Sequence, residues 1–392
     1  MSRPILLGMG TRPEIIKMAP VYQALRAAGE DVQVLHTGQH DSMAWPVYDF
    51  FGMPPRHVMA LERGGSTLSH LSAALLLRLQ GELEQLTPRA VLVHGDTSSA
   101  AMLALAAFYN QIPVGHIEAG LRSGDTQDPF PEEMNRQIVG RIARWHFAPT
   151  EQAVQNLRRE NVEPARIHLV GNTVVDATRH AVEVLEQRSD KGANMLPASM
   201  QGLREALVGR SLVVVTAHRR ENWGHGIARI ASAVMQLLAR HDNLVVAWPV
   251  HANPLVRDTV HAAAQQLPAA ARSRLFLAEP LNYPAMMYLL LHSWLALTDS
   301  GGIQEEAVSH GVPVLVMRET TERPEVLTSG AGHLVGTQPL AIVGQVERLL
   351  GDAVAHRSMR SARNPFGDGQ AGTRIAAVMC HAMQVAQVAQ AA

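Results

Sequence analysis

Three acidic positions follow apolar, strand-like runs: Asp96 in His94-Gly95-Asp96-Thr97, Glu118 in His116-Ile117-Glu118-Ala119-Gly120-Leu121-Arg122, and Glu132-Glu133 directly after Pro131. Carboxylates gathered at one place can act as general acids and bases, and proton transfer is the chemistry such a set would serve. Each also has a plainer use. Asp96 can cap the helix after it, and Glu132 or Glu133 can complement a helix dipole. Asp96 and Glu118 both come immediately after a strand, where open α/β sheets carry their catalytic groups, so as a set they point to a site.

Basic and glycine-bearing segments hold the matching positions after other strands. Gly8-Met9-Gly10-Thr11-Arg12-Pro13-Glu14 closes the first apolar run, with helix signals from Pro13, a residue suited to a first helical position. Glycines in such a turn let the backbone approach a phosphate, and Arg12 and Lys17 add cationic donors; an ordinary strand-to-helix turn explains the glycines equally well. The spacing is not G-x-G-x-x-G, because Pro13 stands where the third glycine belongs, and no Gly-Lys-Ser/Thr follows to make a Walker loop. That departure argues against a bound nicotinamide dinucleotide. Thr216-Ala217-His218-Arg219-Arg220-Glu221-Asn222 puts an imidazole and two guanidinium groups on one loop, which suits a diphosphate unless the arginines are only a solvated face. Thr298 to Glu306 runs from a strand into a Ser-Gly-Gly helix start. The amides of Ser300, Gly301 and Gly302 would cradle phosphate there, and a nearby carboxylate would accept from ribose hydroxyls, although a capping box accounts for part of the pattern.

Positioning these residues requires a particular scaffold. Apolar runs at Ile5 to Gly8, Val32 to His36, Ala90 to His94, Pro113 to Ile117, Trp145 to Ala148 and Ile167 to Val170 alternate with helical patterns such as Thr67 to Leu86 and Ser98 to Tyr109. The rhythm restarts after a polar stretch from Gln187 to Gln201, with strands at Leu212 to Thr216, Leu244 to Pro249, Leu275 to Leu277, Leu295 to Thr298 and Val314 to Val316, and a helix over Gly226 to Arg240. Repeated βαβ units predict two open parallel sheets in tandem, with functional loops at the carboxyl ends of the strands. A chain of 392 residues is long enough for two cores, and 47% hydrophobic with 18% charged residues is the composition of a folded protein. The net charge of −1 supplies no field to draw in nucleic acid or an anionic membrane. The start, Met1-Ser2-Arg3-Pro4, leads into a strand too short for a signal-peptide core or a membrane span, so a cytoplasmic location is expected. The lone Cys380 excludes an intrachain disulfide and a multi-cysteine metal site.

Taken together, the segments resemble the non-hydrolysing UDP-N-acetylglucosamine 2-epimerases over essentially the whole chain. The resemblance is carried by Gly10 to Glu14 with Lys17-Met18-Ala19-Pro20, His94 to Thr97, Glu118 to Arg122, Pro131-Glu132-Glu133 with Asn135-Arg136, and Gly171-Asn172-Thr173-Val174-Val175-Asp176. It continues through His218 to Glu221, Thr298 to Glu306, Thr321-Glu322-Arg323-Pro324-Glu325 and Asn364-Pro365-Phe366-Gly367-Asp368-Gly369. It implies the GT-B fold, in which two Rossmann-like domains with parallel sheets face a central cleft, and a homodimer. The expected domains are 1–172, with the C-terminal helix 367–392 packing back on it, and 173–366. By the resemblance, Asp96, Glu118, Glu132 and His218 correspond to catalytic groups. Arg12, Lys17, Arg136, Ser300, Gly301, Gly302, Glu306 and Arg323 correspond to nucleotide-binding or cleft residues. Two positions depart from the family's pattern. Met286 stands where a Phe usually stacks near uracil, and a thioether can still pack on a ring. After Gln39-His40 the chain reads Asp41-Ser42-Met43 rather than Arg-Glu-Met, near the region where bacterial members bind an activating second substrate molecule.

The implied substrate is UDP-N-acetylglucosamine, with no cofactor and no metal. Its C2–H bond is not next to a carbonyl, so no ordinary carboxylate can remove that proton directly. Expelling UDP first generates an oxocarbenium-like centre that acidifies the proton, and elimination then gives a glucal. Other classes remain open from the residues alone. A GT-B glycosyltransferase shares the fold, and fold does not fix function. A hydrolysing relative would release N-acetylmannosamine and UDP. The alternation in His94-Gly95-Asp96 and His116-Ile117-Glu118 would suit a metal-dependent hydrolase, although residues two apart on a strand share a face in any case. A nucleotide-sugar-binding module without activity is the fourth reading.

Overall fold

The computed structural model describes residues 3–39, 44–62, 64–188, 190 and 192–391. The chain forms two compact units, one of Met1–Ala177 with Phe366–Ala392 and the other of Thr178–Pro365. The first contains a seven-stranded sheet: β1 (Ile5–Met9), β2 (Val32–His36), β3 (His57–Val58), β4 (Ala90–His94), β5 (Val114–Ile117), β6 (Trp145–Ala148) and β7 (Ile167–Leu169). Every pair is parallel and the order is β3-β2-β1-β4-β5-β6-β7. Parallel strands are covered on both faces, which is why β1 and β4 are continuous apolar runs buried along their whole length.

Cover on one face comes from the helix Leu68–Leu86, which buries Leu71, Leu75, Leu79 and Leu83 at four-residue spacing, and from the alanine-rich helix Ser98–Tyr109. The two meet Leu6, Leu35, Val91 and Val93 of the sheet in one core. Gly8 lies inside β1, and a Cβ there would sit 1.9 Å from Leu103 of the second of these helices. A Cβ on Gly10 would fall 2.0 Å from the Thr37 hydroxyl. Both glycines therefore let the chain's own side chains pack close to the turn. On the other face, the C-terminal helix Ala371–Ala391 packs on the helix Arg12–Ala27, where a Cβ on Gly372 would lie 2.7 Å from the Pro20 carbonyl oxygen.

The second unit has six parallel strands: β8 (Ser211–Thr216), β9 (Leu244–Pro249), β10 (Leu275–Ala278), β11 (Leu295–Thr298), β12 (Val314–Val316) and β13 (Gly332–Leu334), in the order β10-β9-β8-β11-β12-β13. Its core joins Val213, Val215, Val246, Trp248 and Leu297 of the sheet to Ile227, Ile230, Val234 and Leu238 of the helix His225–Arg240. Each sheet starts at an inner strand, builds outward on one side, then returns to build on the other. The reversal falls between β1 and β4 in one unit and between β8 and β11 in the other. At such a reversal the loops at the strands' carboxyl ends run to opposite sides, which is the usual ligand position in doubly wound sheets. No helix among the described residues is long and apolar enough to cross a membrane.

Candidate active site

At the first reversal, the loop after β4 carries Asp96. The cap of the helix that follows is Thr97, whose hydroxyl accepts from the Ala100 N–H at 3.0 Å, so Asp96 is left for another partner. That partner is Arg136, four residues into the helix Glu132–Ile142. Its Nε donates to Asp96 Oδ2 at 2.8 Å, Nη2 lies 2.6 Å from the same oxygen, and Nη1 donates to Glu133 Oε2 at 3.2 Å. Burial pulls the Arg136 pKa down, and Asp96 and Glu118 more than reverse it, so this guanidinium stays charged in the field of both carboxylates. Asn135 donates to the Asp96 carbonyl at 2.8 Å, which fixes the loop's main chain as well.

Glu118 follows β5 with a left-handed φ of +65°, a conformation that costs a side-chain-bearing residue about 1–3 kcal/mol and persists only where its surroundings enforce it. The enforcing contacts are an ion pair with Lys17, a 3.3 Å hydrogen bond from Asn172 and the His94 ring 3.8 Å from Oε2. Lys17 and Glu118 are both largely buried, so removing either would leave an uncompensated charge at a cost of about 3–5 kcal/mol. The buried His116 ring bonds the Gly95 carbonyl at 2.8 Å, and burial lowers its pKa to about 3, so it is a neutral donor through Nε2 under the Asp96 loop. His146, its strand neighbour, is lowered to about 4 by the same desolvation.

Of the acidic pair after Pro131, Glu133 is fully buried and structural, accepting from the Ser123 amide, Gln137 and Arg136. Glu132 is half-buried, opens the same helix one turn before Arg136, and is tied to no cation among the described residues. Arg12 is half-buried at the first position of the helix Arg12–Ala27, with Pro13 second and Thr11 as the cap residue. The structure thus gathers Asp96, Glu118 and Arg136 around one field, with Lys17 on Glu118 and Glu132 a helical turn away. Asn172, His94 and His116 join them.

At the second reversal, Asp299 directly follows β11 and is fully buried. Its carboxylate accepts from the backbone N–H groups of His218 and Arg219 at 3.0 and 2.9 Å and from Asn222 at 2.9 Å. His218 Nδ1 lies 3.4 Å from Asp299 Oδ1, while the side chain as a whole is 42% exposed, with its ring beside that of His251. Desolvation lowers the His218 pKa and Asp299 opposes it; the net shift is downward. Ser300 caps the helix Gly301–Ser309. A Cβ on Gly301 would lie 3.7 Å from Arg219 Nη2 and 3.9 Å from Arg323 Cζ, so two guanidinium groups flank the first amides of that helix. A positive helix terminus with cations beside it forms the kind of cradle that suits an anion.

Arg323 is anchored by buried Glu305 at 2.5 Å, and Arg219 by Glu322 at 3.5 Å. Arg220 is exposed, so of the two loop arginines Arg219 is the one that reaches the cradle. Gly302 is exposed at the helix start, and half-buried Glu306 is one turn further on the same face. Met286 is buried in the neighbouring helix Tyr283–Leu291, which packs against Gly301–Ser309. The departure at His40 to Met43 lies outside the described residues. Among the described residues no group of three or more His, Cys, Asp or Glu is arranged to hold a metal ion.

Comparison with known proteins gives consistent matches. A family model described as UDP-N-acetylglucosamine 2-epimerase matches residues 23–380. The UDP-N-acetylglucosamine 2-epimerase of Escherichia coli K12 is 43% identical over 372 residues, covering 95% of this chain and 96% of its own. That of Yersinia pestis is 44% identical over 374 residues with the same coverage of both chains. Among solved structures, the UDP-GlcNAc 2-epimerase of Neisseria meningitidis bound to UDP-GlcNAc is 36% identical and superimposes with a TM-score of 0.87 over 96% of this chain and 100% of its own.

Proposed function

The chain belongs to the UDP-N-acetylglucosamine 2-epimerase family, and from that premise we propose that it interconverts UDP-N-acetylglucosamine and UDP-N-acetylmannosamine by losing and regaining UDP. It is an isomerase of the non-hydrolysing type. The observation that carries the mechanism is the placing of the two kinds of group: Asp96 and Glu118, held by Arg136 and Lys17, at the reversal of the first sheet, and guanidinium groups with helix amides at that of the second.

The reaction needs both. The C1–O bond breaks with its electron pair leaving on the diphosphate, where Arg219, Arg323 and the first amides of the helix Gly301–Ser309 stabilise the growing negative charge. His218 adds to this when protonated. A carboxylate from the set Asp96, Glu118 and Glu132 takes the C2 proton, and the C2–H electrons form the C1–C2 double bond of a 2-acetamidoglucal. A second group returns a proton to the opposite face of C2, and the diphosphate oxygen adds back to C1. Atoms and charge balance, and UDP is neither consumed nor released overall. In this scheme Arg12, Lys17 and Arg136 set the field around the reacting ring, and Ser300, Gly302, Glu306 and Met286 contact the nucleotide. Pairing of two chains and a cytoplasmic location belong to the same reading; sedimentation velocity should give twice the mass of one chain.

Incubation with UDP-N-acetylglucosamine and no acceptor, followed by NMR of the products, tests the proposal. UDP-N-acetylmannosamine should accumulate to a fixed ratio with substrate. Substrate with unchanged C2 would favour a glycosyltransferase, and free N-acetylmannosamine with UDP would indicate the hydrolysing reaction instead.

A further inference from the structure

Glu14 is a buried acid to which the mechanism assigns no task. It lies in the first turn of the helix Arg12–Ala27 and is 1% exposed, where a carboxylate would ordinarily face water and complement the helix dipole. Its two oxygens serve different loops. Oε2 accepts from the backbone N–H groups of Gly10 and Thr11, at 3.0 and 2.8 Å, in the turn after β1. Oε1 accepts from the Thr97 hydroxyl at 2.7 Å, in the loop after β4. Thr97 has donated its only hydroxyl proton there and still accepts from the Ala100 N–H at 3.0 Å, capping the helix Ser98–Tyr109. Arg12 directly follows Thr11, and Asp96 directly precedes Thr97. One side chain therefore spans the strand-order reversal and joins the turn that carries Arg12 to the loop that carries Asp96.

We propose that Glu14 is a positioning residue for the epimerisation, holding the Asp96 loop in register with the Arg12 turn through Thr97 without touching substrate itself. The inference rests on the functional reading above. Three features of the site support it. All three partners are donors, so the position demands oxygen acceptors rather than mere bulk. Desolvation raises the Glu14 pKa to about 7, so the chain keeps a carboxyl where burial disfavours its charge. The second sheet also makes an equivalent link from different residues, with Asp299 accepting from two consecutive amides after β8 while itself belonging to the loop after β11. A neutral side chain of the same shape preserves the link at Glu14. The amide oxygen of a glutamine can take the two backbone N–H groups, and its NH2 can donate to Thr97 Oγ1, which has a lone pair to receive it.

The test compares Glu14→Gln and Glu14→Met with the unaltered chain, measuring kcat, KM and the stoichiometry of UDP binding by calorimetry. Misplacing a catalytic group by about 1 Å costs on the order of 100-fold in rate. Glu14→Met should lower kcat by roughly 10- to 100-fold, with KM moved by less than about 3-fold and UDP bound at the unaltered stoichiometry. Glu14→Gln should recover kcat to within about 5-fold of the unaltered chain, because its oxygen and NH2 reproduce the hydrogen bonds. A fall in UDP stoichiometry that matches the fall in kcat would make Glu14 a folding residue only and overturn the proposal. So would full activity of Glu14→Met, or equal loss in both variants, which would mean that the charge and not the link matters. Absence of epimerisation by the unaltered chain would overturn the functional reading and this inference with it, an outcome distinct from the others.

Discussion

In the first unit two consecutive amides after β1 donate to Glu14, and in the second two consecutive amides after β8 donate to Asp299. The strand order around them is the same and the reversal falls at the same place. What differs is which loop supplies the acid. Glu14 comes from the helix that follows the first loop and reaches across to the fourth-strand loop, leaving Asp96 on that loop to turn outward toward Arg136. Asp299 comes from the fourth-strand loop and reaches back, so that loop's carboxylate is consumed inside, and Arg219 and Arg323 surround the helix start beyond it. One crossing thereby holds Asp96 and Glu118, each paired with a cation, and the other holds two guanidinium groups at a helix start. The same strand order around the reversal thus leaves different side chains facing out, according to the direction in which its buried acid points.

The comparison breaks most sharply at the acids. Asp96→Asn and Glu118→Gln should each cut turnover by roughly 10²–10⁴ while leaving UDP affinity nearly intact, as expected for a general acid or base. Steady-state kinetics beside UDP calorimetry checks this, and turnover near that of the unaltered chain in both would remove the two residues from the chemistry.

Stability offers the next largest effect. His116 has a folded pKa of about 3 against an ordinary value of 6.5, so its contribution is complete above pH 6.5 and is lost as pH falls from there toward 3. The shift corresponds to on the order of 3–5 kcal/mol at full loss. His116→Gln, which can still donate to the Gly95 carbonyl, should flatten urea unfolding midpoints across that pH range; an unchanged acid slope would contradict a neutral buried ring. Glu14 acts in the opposite sense. Its pKa is raised from 4.5 to about 7, so its contribution is complete below pH 4.5 and declines as pH rises to 7.

Smaller effects sharpen the cationic side. Arg219→Ala should weaken UDP binding about 10-fold, the worth of one charge-assisted hydrogen bond, with C2 exchange chemistry retained at saturation. The smallest effect concerns His218, whose depressed pKa should rise when a diphosphate binds beside it. UDP affinity of the unaltered chain should therefore gain a few-fold relative to His218→Asn as pH falls from 8 to 6. Parallel pH dependence in the two proteins would exclude His218 from the anion cradle.

The central strands were legible because burial on both faces writes them as continuous apolar runs; Val32–His36, Ala90–His94 and Leu244–Pro249 begin and end where the sequence places them. The edge strands β3 and β13 were not, since two or three residues at a sheet margin need no such run. Asp96 and Glu118 were visible from their positions after strands. Their partners were not: Lys17 is 101 residues from Glu118, and Asp299 is 81 residues from His218. Nothing local encodes those pairings. Glu14 falls between the two cases. Thr11-x-x-Glu14 spells a capping box, which foretells its bond to the Thr11 amide, whereas its reach to Thr97 emerges only when β1 and β4 lie side by side. The glycines at 8 and 10 had an open reading as phosphate contacts, and the space they leave is filled by Leu103, Thr37 and Ser99.

The division of labour between the two sheets is tested most directly by running the reaction in heavy water and reading C2 of the product by NMR. If departure of UDP lets a carboxylate of the first unit remove the C2 proton, the UDP-N-acetylmannosamine formed carries deuterium at C2. Product that keeps the substrate's own hydrogen at C2 would contradict the account.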